Sequence, residues 1–137
     1  MIKKLQLFLC LVFISFGAVS CQHEDLPPNV TGTWGAVSLE TYNINDEDEV
    51  YNESYYTFWE NEKTLILNSD NTWEEKNGSV SYNGTWTVKQ LYGTWILTLT
   101  QPTVSKVFSI KQCDNTYLVL HETNNSWNAV TTFVKIQ

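Results

Sequence analysis

Apolar and polar positions alternate along most of this chain. The clearest case is SVSYNGTWTVK at residues 79–89, where Val80, Tyr82, Trp86 and Val88 share one parity and Ser81, Asn83, Thr85, Thr87 and Lys89 the other. A period of two sends successive side chains to opposite faces of an extended chain, so the pattern predicts a strand with one dry and one wet face. The next segment repeats it, with Trp95, Leu97 and Leu99 set against Thr94, Thr98 and Thr100. Further strands are predicted at SKVFSIK, TYLVLHE and AVTTFVKIQ, separated by connections rich in Asn, Asp, Ser and Pro. Upstream, GTWGAVSLETY opens the domain at Gly32, and TLILN and TWEEK flank SDN as a hairpin. Nothing after residue 20 sustains a helical repeat for about ten residues.

In order, these segments make eight short strands with brief connections, the pattern of an antiparallel up-and-down meander. Eight strands suffice to close into a β-barrel, and closure removes the edges that an open sheet leaves exposed. A two-sheet β-sandwich is the alternative that strand number leaves open. The last two strands carry apolar residues on both parities, Tyr117 and Val119 beside Leu118 and Leu120, and Val130 and Val134 beside Phe133. Part of the outer wall is therefore expected to be covered.

The first twenty residues break the alternation. Lys3 and Lys4 precede an apolar run from Leu5 to about Ala18, too short to span a bilayer comfortably, which reads as a secretory signal that is removed. The run ends in AVSC, which resembles the lipobox of bacterial lipoproteins, with Ala18 where Leu is commonest. The resemblance implies that Cys21 is lipidated and becomes the mature N-terminus; the alternative is an ordinary signal with Cys21 a free thiol. The following QHEDLPPN has two acids, two prolines and no periodicity, so residues 21–30 read as an extended tether and 31–137 as the folded domain. Acids just after the cysteine also resemble the export signal of some surface lipoproteins. The resemblance implies an outer-membrane protein and leaves surface and periplasmic faces equally open.

Charge narrows the classes of partner. The chain has 15 Asp and Glu against 8 basic residues, all of them Lys, for a net charge of −7, and removing Lys3 and Lys4 makes the mature part more acidic. No basic stripe exists for nucleic acid or for electrostatic attachment to anionic lipid, so the expected membrane contact is through the Cys21 anchor alone. Of the three cysteines, Cys10 leaves with the signal and Cys21 is acylated, so Cys113 has no disulfide partner within the chain. Stability must come from packing, to which six Trp contribute.

GTW at the first strand, LILNSDNTW, NGTWTV, WILTLT, FSIKQCDNTYLVL and the closing TTFVKI together resemble the lipocalin-like domains of small bacterial lipoproteins, over about residues 30–136. The resemblance implies a calycin-type eight-stranded barrel. It also implies that Gly32 and Trp34, matching the Gly-x-Trp of the first lipocalin strand, plug the closed end of the barrel. In lipocalins a basic side chain of the last strand packs over that Trp. There is no Arg here, and Lys135 is the residue in place, without the planar guanidinium that stacks well on indole.

Two groups of side chains are candidate functional sites. Trp86, Trp95, Leu97 and Phe108 lie on inward parities and are expected either to line a ligand cavity or to fill the core. One long connection, at about residues 43–63, holds Tyr51, Tyr55, Tyr56, Phe58 and Trp59 beside Asp46, Glu47, Asp48 and Glu49. A connection of that length is uncommon in a compact domain and is often a lid. The alternative is that these aromatics pack on the flank of the barrel as an extra strand. The acids lack the spacing, central Gly and distal Glu of a calcium-binding EF-hand loop, so no metal site is assigned. Catalytic constellations are missing, and neither enzymatic activity nor a cofactor is expected.

The expectation is thus a membrane-tethered barrel binding a small apolar or aromatic ligand. The alternative is a surface glycan- or protein-binding module, or an inhibitor or accessory, with a filled core. GTW occurs three times, at Gly32, Gly84 and Gly93, without a fixed period, so it is read as a strand-entry device.

Overall fold

The computed structural model describes residues 26–136, and Cys21 and the signal segment lie outside them. Nine strands form one antiparallel sheet: β1 (Gly32–Ile44), β2 (Val50–Thr57), β3 (Lys63–Leu67), β4 (Thr72–Asn77), β5 (Val80–Leu91), β6 (Thr94–Thr100), β7 (Ser105–Cys113), β8 (Tyr117–Asn124) and β9 (Trp127–Lys135). From β3 to β9 each strand pairs with the next, and β9 returns to pair with β1 from Trp34 to Asn43. β1 closes the circle by pairing with β3 through Gly32–Gly35. The result is a closed eight-stranded up-and-down barrel, the architecture that the strand count predicts, and not a sandwich.

β2 is the ninth strand. It pairs with the far half of β1, Ser38 to Ile44, on the same edge that β3 uses lower down. The long connection expected at 43–63 is therefore mostly strand. A tight turn at Asn45–Glu49 makes this possible: the Asn45 Oδ1 accepts the amides of Glu47 and Glu49 at 2.9 Å each, and Asp48 takes a left-handed φ of 60°. This side-chain mimic of a backbone turn is an ordinary use of Asn.

Strand order gives the barrel two unlike ends. At one end lie the residue 26–31 segment and the β3–β4, β5–β6 and β7–β8 turns; at the other lie the β1–β2, β4–β5, β6–β7 and β8–β9 turns. The first end is closed. Val30 is buried there, the Trp34 indole N–H donates to the Val30 carbonyl at 2.9 Å, and the Lys135 ammonium lies 5.4 Å from the Trp34 ring centroid. The Cys113 thiol donates to the Asn29 carbonyl at 3.3 Å, fixing the entering chain to the same end. Above this floor the inward side chains Leu65, Leu67, Trp73, Trp86, Leu97, Leu99, Leu118, Leu120 and Phe133 form one continuous core. Among the described residues every buried side-chain nitrogen or oxygen has a partner, as a stable interior requires.

The three GTW triplets enter this barrel differently. Gly32 opens β1. Gly84 lies inside β5, where a methyl group would run into the Thr100 carbonyl and the Trp73 indole, so glycine is needed for close approach. Gly93 forms the β5–β6 turn with Tyr92, both with positive φ (79° and 49°), the two-residue hairpin turn that matches strand twist.

Candidate functional site

The inward parity does not stay dry along the whole barrel. Towards the open end it carries Lys63 on β3, Glu75 on β4, Lys106 on β7 and Glu122 on β8, each two residues beyond a buried or half-buried apolar side chain (Leu65, Trp73, Phe108, Leu120). Packing stops where these residues begin, and a cavity of about 480 Å³ opens above the core. Its floor is Leu65, Trp73, Leu99, Leu120 and Phe133; Leu39, Phe108 and Ala129 extend the apolar wall. Asn77, Tyr82, Gln101, Lys106 and Trp127 stand at the mouth.

One ion pair crosses the wall. The Lys63 ammonium lies 3.4 Å from a Glu75 carboxylate oxygen, both partly shielded, and the same ammonium is 5.9 Å from the Phe58 ring centroid. Lys63 and Glu75 are diagonal neighbours on paired strands, since Leu65 faces Glu75 and Lys63 faces Asn77. With these two charges balancing each other, the cavity offers an apolar base with separate positive and negative groups near its opening.

Of the four side chains expected at a cavity, Phe108 is on its wall. Leu97 is fully buried in the core, opposite Phe108 in the β6–β7 register. Trp86 is buried there too, its indole donating to the Asn68 carbonyl at 3.0 Å, while Trp95 is half-buried nearer the closed end, opposite Gln90. Parity places all four inward, but depth decides what each does. Val80 and Tyr82 share the inward parity of β5 and remain exposed because they stand at the mouth.

The aromatic segment is mostly strand β2, paired to β1 along Ser38–Ile44. Tyr56 and Phe58 meet edge to face at 5.0 Å, and Phe58 packs against the core. The Tyr56 hydroxyl donates to the Glu62 carboxylate at 2.8–2.9 Å, which raises the phenol's pKa, and the Trp59 amide donates to the same carboxylate at 3.1 Å. Tyr51 and Tyr55 are exposed on β2, and Trp59 is 79% exposed. None of the five borders the cavity.

The remaining chemical groups are engaged elsewhere. His121 on β8 has the parity opposite to buried Leu118 and Leu120, and its Nε2 lies 2.8 Å from the Asn128 Oδ1. Burial, and then the negative charge of Asp114, pushes the Cys113 thiol pKa up, against a weaker pull from Lys135. Among the described residues no three His, Cys, Asp or Glu side chains converge as metal ligands. Comparison with protein-family models, curated proteins and solved structures finds no match to this chain.

Proposed function

We propose that this chain is a lipid-anchored, lipocalin-like barrel of the cell envelope that takes a small apolar or aromatic molecule into its open end, without catalysis. The cavity carries this reading: about 480 Å³ lies within the roughly 300–1,000 Å³ typical of small-molecule sites, and its base is apolar. The family reading is supported by Trp34 at the closed end with Lys135 over its ring, the arrangement that the first and last lipocalin strands make. The AVSC sequence supports anchoring at Cys21, on either face of the outer membrane.

Native mass spectrometry of the protein purified from its own envelope should reveal a discrete bound mass of a few hundred daltons. Ala129→Phe, which adds bulk from the cavity wall toward open space, should lose that mass while keeping the melting temperature. An empty wild-type protein, together with equal binding of the apolar dye anilinonaphthalene sulfonate by wild type and Ala129→Phe, would overturn the reading. A second reading, a surface module for glycan or protein, draws on a different observation: the exposed aromatics gathered on β2 and at Trp59.

A further inference from the structure

β2 is paired on one side only. Its partner is β1, and among the described residues no strand lies against its other edge. The Phe58 amide donates to the Val37 carbonyl at 2.9 Å, toward β1. Successive amides of an extended chain point to opposite sides, so those of Tyr55 and Thr57 are directed at the bare edge. Exposed edges are ordinarily blunted by lysine, proline, bulges or shortness. β2 has eight residues, VYNESYYT, with neither lysine nor proline, and all eight are exposed; a bulge at Asn52, whose φ is 54°, interrupts its ladder to β1, so the regular edge it offers is Ser54–Thr57. Register places Tyr51 and Tyr56 on one face, beside Asn43 and Leu39, and Val50 and Tyr55 on the other, beside Ile44 and Glu40. An incoming strand would therefore find large side chains above and below it.

Charge says what kind of strand fits. No Lys or Arg occurs from residue 26 to residue 62, whereas Asp46, Glu47, Asp48 and Glu49 occupy the hairpin tip, with Glu53 on β2 and Glu60 just beyond it. A second copy laid antiparallel on the same edge would bring two such acidic sets together, which is repulsive. We propose that the free edge of β2 is a docking edge for an extended, lysine- or arginine-rich segment of a partner protein, which adds a strand to the sheet. Backbone hydrogen bonds hold such a segment, Tyr51, Tyr55 and Tyr56 flank it, and the acids select its charge. Tyr51, Tyr55 and Tyr56 do not line the cavity, although Tyr56 is the register neighbour of Leu39 in its wall.

The probe is a capped peptide alternating Lys with Thr or Val, titrated into the full-length chain in neutral detergent micelles and followed by amide hydrogen exchange. The expected result is saturable binding that protects the Tyr55 and Thr57 amides and weakens with salt. A peptide of equal charge with prolines at alternate positions should bind about tenfold more weakly, because it cannot offer a strand edge. Tyr55→Pro should lose the interaction, and Tyr55→Phe should keep it. Glu49→Lys combined with Glu53→Lys, which leaves the ladder intact, should weaken it about tenfold. Equal binding of the proline peptide, or no binding of the strand peptide, would overturn the proposal. So would concentration-dependent protection of Tyr55 and Thr57 without peptide, since a second copy would then hold the edge.

Discussion

At the closed end a single indole meets several demands. Trp34 fills the floor of the core, gives its N–H to the Val30 carbonyl and presents a ring face to Lys135. Trp34→Ala should cost about 3–5 kcal/mol, read as a lowered denaturant midpoint, because a cavity and an unpaired carbonyl remain. Lys135→Ala should cost about 0.5–1 kcal/mol, and Lys135→Arg should preserve or raise the melting temperature, since a guanidinium stacks on indole better than an ammonium. Gly84→Ala should lose about 1–3 kcal/mol by forcing Thr100 and Trp73 apart. Cys113, half-buried with a raised pKa and bonded to Asn29, should react with iodoacetamide much more slowly in the folded protein than in urea. Repetition of GTW is visible in the sequence, but the separate roles of Gly32, Gly84 and Gly93 depend on what each strand passes.

Two turns at the closed end use one device. Asp70 accepts the Thr72 hydroxyl at 2.6 Å and the Thr72 amide at 3.1 Å; Asp114 accepts the Gln112 side-chain amide at 2.8 Å and the backbone amides of Thr116 and Tyr117 at 2.8 and 2.7 Å. The Thr72 bonds, hydroxyl first, hold the Asp70 carboxyl below its ordinary pKa, and the Gln112 bond followed by the two amides does the same for Asp114. Groups depressed in the folded state stabilise it fully above the unfolded value, about 4, and lose that contribution as pH falls through the lower folded value. Melting temperature should thus fall with acid below about pH 4, and less steeply in Asp70→Asn combined with Asp114→Asn. The eight barrel strands were legible in the sequence because most alternate with one buried face, and the last two, apolar on both parities, are bounded by turn-rich segments. β2 was legible only as the alternative to a lid, since both its faces are wet and backbone pairing to β1 leaves no period in Val50–Thr57. The cavity was half legible: parity turned Phe108 inward, while Lys63, Glu75, Lys106 and Glu122 marked the depth at which packing stops by carrying charge on that same parity.

Over the whole molecule, acids gather at the open end, around the β1–β2 turn, whereas the chain enters at the closed one, held by Val30 and by Asn29 against Cys113. A lipid on Cys21 would lie about nine residues from Val30, a reach of at most about 30 Å. The anchored protein would then hang from its sealed pole, its acidic pole turned from anionic headgroups. In vesicles carrying a headgroup quencher, on a Cys113→Ser background, a fluorophore at Asn115→Cys should be quenched more strongly than one at Ser126→Cys. The plug formed by Val30 and Trp34 would have a consequence for traffic under the proposed anchoring and binding: cargo could not rise from the supporting leaflet through the base. It would have to arrive from the aqueous side, so the barrel would draw on dissolved molecules or on a facing partner, not on the lipids that hold it.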